Sequence, residues 1–363
     1  MTALAETTGG GVLGLGSVAG HGDGSFGSPC RRLSAPTPDG GGEPKEPSPW
    51  PTGPAGVRRL PLAFNGDGVW RGVTWAAGIT TVIILGGVAA FLVIDGVPAL
   101  RGDATTLGAL GGNQVSSIWQ LTWPLLFGSA WAAVWALLFA VPVGVGAALF
   151  ITMVAPRRLG SVFGAAIDLL AAVPSVVYGL WGLFVAAPAA SRAYAWLSAH
   201  FGWFPLFAGT PSATGRTLLT ASVVLAIMIV PLISSLSREV ISLVPKTSVE
   251  ASLALGATRW QMIRQAVLPQ AKSGIVAGAL LAMGRALGET MAVAMVLSSS
   301  LRISFRLITS ENPNTVAAFI AQTFPDASGL QVNALLWLGL MLFALTLVVN
   351  TVARGFLTKG AKR

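Results

Sequence analysis

Arg285 and Glu289 lie four residues apart in SGIVAGALLAMGRALGETMAVAMVL, residues 273–297, a stretch otherwise free of charge. Burying either group in hydrocarbon costs about 2.5–3.5 kcal/mol on insertion scales, so such residues mark a pathway, a partner or a structural ion pair. On a continuous helix the i, i+4 spacing places both on one face. Arg before Glu is the weaker order for a helical pair, so a salt bridge alone is a poor reason to keep them. A guanidinium stays charged at any physiological pH, and its planar donors match phosphate oxygens. Glu289 would hold the arginine's orientation. It would also accept a hydrogen bond from a protonated oxyanion such as hydrogen phosphate, a donor that sulfate lacks. A carboxylate beside the path keeps a lone arginine from trapping an anion. Gly284 and Gly288 leave room for close approach, and Thr290 offers a hydroxyl on a different face.

These groups need a membrane around them. The 363-residue chain is 53% apolar and only 10% charged, where soluble domains carry about 25%. Six segments are long enough to cross about 30 Å of hydrocarbon: 73–94, 124–153, 162–188, 217–237, 274–298 and 333–353. Each is predicted to be helical, because backbone polar groups in lipid must be satisfied within the segment. Pro142, Pro174 and Pro231 fall inside spans and predict local kinks or irregular turns rather than breaks. Asp168 falls early in the third span, where it pairs with a basic residue or caps a polar cavity, and a structural role is the favoured reading. Pro174, Ser175 and Tyr178 line the pathway or simply pack. Trp119, Trp123, Trp196, Trp203 and Trp337 read as interfacial anchors.

Charge placement sets the orientation. With the N-terminus cytoplasmic, 17 Lys and Arg fall inside and five (Arg101, Arg192, Arg216, Arg302 and Arg306) fall outside. Both termini are therefore expected in the cytoplasm, and the formal charge of +9 reflects topology rather than nucleic-acid binding. Arg302 and Arg306 would attract an anion, contact an external binding protein or simply be solvated. Residues 1–68 hold 16 Gly and 9 Pro and read as a disordered tail. The expected division is this tail, a membrane domain over 69–358 and a short C-terminus, 359–363. Cys30 alone excludes an internal disulfide, and His21 and His200 are too few for a histidine-rich metal site. His200 reads as an ordinary loop residue.

Between spans four and five, residues 246–272 are too polar for lipid. Their centre is EASLALGATRWQMIRQAVLP, residues 250–269. Leu253, Leu255, Trp260, Ile263, Val267 and Leu268 recur at helix-like spacing. Gly256 is expected to divide two short helices, and Pro269 to close the loop before span five. Such a knob fits a groove on a soluble partner.

Glu250-Ala251-Ser252, Gly256 six residues after the glutamate, and Leu268-Pro269 resemble the EAA loop of ABC importer permeases. Ser252 departs from it, standing where the pattern has a second alanine. GRALGETMAV at 284–293 is similar to the signature of phosphate-specific ABC permeases of the PstC type. VPSVVYGLWG at 173–182, and Asn314 to Ala318 with Ile320-Ala321, are similar to the same subunit. The resemblance covers roughly residues 70–355.

It implies an all-α polytopic membrane protein of a prokaryotic inner (plasma) membrane, with the six-helix, type I, MetI-like ABC importer permease fold. It implies a pathway for inorganic phosphate with Arg285 and Glu289 on it. Glu250, Ala251, Gly256, Arg259, Leu268 and Pro269 would form the coupling loop to an ATPase. The chain has no G-x-x-x-x-G-K-[ST] loop, so ATP would be used by a separate subunit, and no cofactor is expected on this chain. Expected partners are a PstA-type permease, a PstB-type ATP-binding dimer, a PstS-type external phosphate-binding protein and the lipid bilayer, with no nucleic acid. Alternatives are a permease for another oxyanion or solute, a passive anion channel, and a non-transporting scaffold or sensor subunit.

Overall fold

The computed structural model describes residues 66–102, 108, 110, 115–298 and 300–360. The tail expected over 1–68 lies almost wholly outside these residues, as do the last three positions of the chain. Among the described residues the fold is helical, with one isolated bridge between Ser300 and Pro313.

Six of its helices are long and apolar enough to cross a membrane. Helix α1 (Gly66–Gly96) leads through a 3-10 turn, Val97–Arg101. Helix α2 (Ile118–Leu149) ends in a π turn, Phe150–Val154. Helix α3 (Arg157–Ala171) is followed by α4 (Ser175–Phe201) and α5 (Leu218–Ser242). Then come α6 (Lys246–Ala254), α7 (Arg259–Leu287), α8 (Met291–Val296), α9 (Val316–Thr323) and α10 (Leu330–Gly360). Pro142 and Pro231 stay inside α2 and α5, as the sequence suggests.

Helix α5 is the axis of the bundle. Ile233 packs into the notch at Gly144 of α2, and Leu236 faces Gly278 of α7. One cluster of buried side chains runs through α5, α2 and α8, including Leu225, Ile229, Ile233, Ala136, Ala140, Ala292 and Val296. Small residues let these backbones approach closely, which is the means of helix packing open to a chain in lipid. A second cluster joins α10 to the start of α2 through Leu335, Leu338, Leu121 and Leu125. Trp337 belongs to it. That residue is buried edge-on against Trp119, with centroids 5.5 Å apart, and is not the interfacial anchor expected of it.

Two expected spans are corrected. Segment 162–188 is not one helix, because Pro174 separates α3 from α4. Proline lacks a donor and disfavours helical geometry at the residue before it, so here it breaks the helix rather than kinking it. The crossing helix is Ser175–Phe201, and it carries Arg192 and His200 within it rather than in a loop. Span five is also interrupted. It stops at Leu287, and α8 restarts at Met291.

Candidate functional site

The interruption at residues 288–290 has a local cause. Glycine is a poor helix former, and short polar side chains compete for backbone groups. Thr290 Oγ1 donates to the Gly288 carbonyl at 3.1 Å. The Ala292 N–H donates to Glu289 Oε1 at 3.3 Å, so the carboxylate turns into the first turn of α8. Arg285 occupies the last turn of α7 and is exposed, whereas Glu289 is half-buried. The two therefore do not share a continuous helix face as their spacing suggested. Nor do they form an ion pair. Among the described residues that interaction belongs to Arg238 and Asp168.

Packing fixes the height of the break within the bundle. Helices α5 and α7 are antiparallel, with Gly274 against Val240 and Gly278 against Leu236. The same register carries Leu287 level with the middle of α5. Non-helical backbone at that depth is tolerated where protein buries it or where it lines a water-filled cavity.

Three stretches far apart in sequence meet around α8. In α4, a Cβ on Gly179 would stand 2.9 Å from Ala292 Cα, and one on Gly182 would stand 2.7 Å from Val296 Cγ2. From α9, Gln322 Nε2 donates to the Ala294 carbonyl at 3.0 Å, while Asn314 Nδ2 donates to Gln322 Oε1 at 3.1 Å. Ser129 of α2 accepts the Val316 N–H at 2.9 Å. The motif segments at 173–182, 284–293 and 314–321 thus share one local scaffold.

Gly284 faces open space, with nothing within 4 Å of a Cβ built there. It borders a cleft of about 260 Å³ between α7 and α10, lined also by Ala277, Leu280, Leu281, Asn350 and Arg354. In the sequence Arg354 is one of the 17 basic residues expected on the cytoplasmic side and belongs to no motif. Its position one turn after Asn350 in an apolar helix was the available signal.

The polar loop forms the helical corner expected of it. Gly256 has φ of +82°, the left-handed region, and separates α6 from α7. Thr258 caps α7 in a reciprocal box with Gln261. Glu250, Ala251, Gly256 and Arg259 are exposed. The apolar residues divide into two sets: Leu255 and Trp260 are 90% and 64% exposed, whereas Ile263 and Val267 are buried with Met262, Ile241 and Ile275. Pro269 is a further correction. It does not close the loop but sits, exposed, within the continuous helix Arg259–Leu287. A π turn over Ile263–Val267 immediately precedes Leu268 and Pro269, loosening the ladder where proline cannot donate. Arg259 and Arg285 are about 39 Å apart along this helix at 1.5 Å per residue, so the loop and the charged residues are separate sites.

Residues 140–359 match the family described as binding-protein-dependent transport system inner membrane component. The chain is 41% identical over 298 residues to "Phosphate transport system permease protein PstC 2" of Mycobacterium tuberculosis, covering 80% of this chain and 92% of that protein. It is 38% identical over 312 residues to "Phosphate transport system permease protein PstC" of Mesorhizobium japonicum, covering 84% and 93%. In fold it resembles a chain of a bacterial alginate ABC transporter crystallised with alginate pentasaccharide-bound periplasmic protein. There the TM-score is 0.53 at 16% identity, over 80% of this chain and 93% of that one.

Proposed function

The chain belongs to the binding-protein-dependent transport system inner membrane components, and within them to the PstC-type permeases, and we propose that it forms part of the inorganic phosphate pathway of an ATP-driven importer. It is a multi-pass permease subunit of a bacterial plasma membrane and not itself the ATPase. Its relatives' names supply the cargo. The observation that carries the site is the interruption of α7 level with the middle of α5, where Arg285 is exposed without an ionic partner among the described residues.

A guanidinium left toward lipid at that depth is costly. Covered by a second, PstA-type permease, the same guanidinium would face a shared path and contact phosphate oxygens through its planar donors. Glu289, held by the Ala292 N–H, keeps a fixed place beside the path and accepts a hydrogen bond from a protonated phosphate. That donor distinguishes hydrogen phosphate from sulfate.

The corner at Gly256 would face the cytoplasm and dock a PstB-type ATPase dimer. Glu250, Ala251, Gly256 and Arg259 would form the contact, while Leu268 and Pro269 join it to the span. An external PstS-type protein would deliver phosphate to the opposite face. Movement of the corner on nucleotide binding would switch the bundle between outward- and inward-open arrangements.

The test is uptake of labelled phosphate by cells lacking their own importer, supplied with all partners. The intact chain is expected to restore uptake, and Arg285→Gln to abolish it while the assembly still forms. Normal uptake by Arg285→Gln and Glu289→Gln would remove both residues from the path. An intact assembly that binds its ATPase but moves no phosphate would overturn the cargo.

A further inference from the structure

The one ion pair among the described residues joins α3 to α5. Arg238 Nη2 donates to Asp168 Oδ1. The site is shaped for it. Gly160, Gly164 and Asp168 recur every four residues on one face of α3. A Cβ on Gly160 would stand 3.0 Å from the Ile151 carbonyl, and one on Gly164 would stand 2.6 Å from Arg238 Nη1. The missing side chain at Gly164 is therefore the notch through which the guanidinium reaches Asp168. Those two glycines are the buried residues of α3, so apolar packing holds this helix only weakly. The arginine side chain is 19% exposed and the carboxylate 58%. A pair that open adds little stability. It does give direction, which close contact at the two glycines alone does not.

Its place in the fold supplies a role. Arg238 lies one turn before the end of α5, and Pro245 then opens α6, the proposed docking helix. On the other side, α3 reaches Ala171, and the Tyr178 hydroxyl donates to the Leu170 carbonyl at 2.9 Å across the Pro174 turn. The next residue, Gly179, touches Ala292 of α8, whose N–H holds Glu289. We propose that Arg238 and Asp168 are positioning residues that make α3 and α4 follow α5, carrying displacement of α6 to α8 and Glu289. This rests on the reading above for what moves α6, though not for what is carried.

The test uses the assembled transporter with Cys30→Ser and a reporter, Met291→Cys, on α8. Thiol-labelling rate is measured with and without Mg-ATP, alongside labelled phosphate uptake, each per assembled complex. Asp168→Asn and Arg238→Gln are each expected to lower the nucleotide-dependent change in labelling and the uptake by about tenfold. Arg238→Lys, which keeps the charge, is expected to retain most of both. A full nucleotide response in the two neutral variants would overturn the proposal. So would an Arg238→Lys response as low as that of Arg238→Gln in an assembly that forms normally. The labelling readout does not depend on cargo, so an intact transporter that responds to nucleotide yet moves no phosphate indicts the cargo and leaves this linkage standing.

Discussion

Gly179 of α4 and Ala292 of α8 are in backbone contact, close enough that a Cβ on the glycine would meet the alanine Cα at 2.9 Å. This contact seats the short helix that carries the capping amide of Glu289. The nearest atoms are backbone and Met295 Sδ, so the site has little freedom to yield. Gly179→Val is expected to displace α8 at a cost of about 1–3 kcal/mol, as overpacking does. Phosphate uptake per assembled complex should fall more than membrane level does. Unchanged uptake would mean that the seat of α8 is not functional.

Gly256 offers a cleaner separation of backbone from packing. Its φ of +82° is strained for a side-chain-bearing residue, yet nothing lies within 4 Å of a Cβ there. A β-branched Gly256→Val should cost about 1–3 kcal/mol by backbone strain alone and weaken ATPase binding. Gly256→Asn, which tolerates the left-handed region, should lose much less. Titration of the purified permease pair with the ATPase would show the ranking, and equal losses for Val and Asn would refute it.

Leu255 and Trp260 are the large apolar side chains most exposed on the loop, and they face away from the buried cluster of Ile263 and Val267. Leu255→Asp and Trp260→Ala are expected to lower ATPase affinity by about 2 kcal/mol each, as loss of a buried interface anchor does. Thermal stability of the permease should be untouched, because neither residue supports its core. Val267→Ala should do the reverse, costing about 2 kcal/mol in stability, as deletion of two buried methyl groups and the cavity they leave does. A stability loss in the first pair would place them in the fold rather than at the docking surface.

The apolar runs and the positions of glycine and proline were enough to read six crossings, the corner at Gly256 and an all-helical bundle. These follow from local rules: a backbone in lipid must satisfy itself, and a left-handed corner favours glycine. What was misread turned on competition that a single segment does not reveal. Pro174 ended a helix whereas Pro142 and Pro231 did not: Pro231 is buried inside α5, and Pro142 stays within α2 although it is exposed. Pro269 was absorbed by a π turn. Trp337 looked like its exposed relatives until α1 and α2 closed over it.

By itself, the sequence determined the class of chemistry. A permanent cation and a carboxylate stand in an apolar stretch, a polar helical corner precedes them, and hydropathy sets the number of crossings. Only the packing of the helices arranged those residues in space. It interrupted α7 level with the middle of α5, turned Glu289 into α8 instead of toward Arg285, and matched Arg238 with Asp168 across seventy residues of chain. The division is physical. Side-chain identity and local propensity are properties of the residue and its neighbours, whereas a helix break, a glycine notch or an ion pair exists only when another element arrives to fill it.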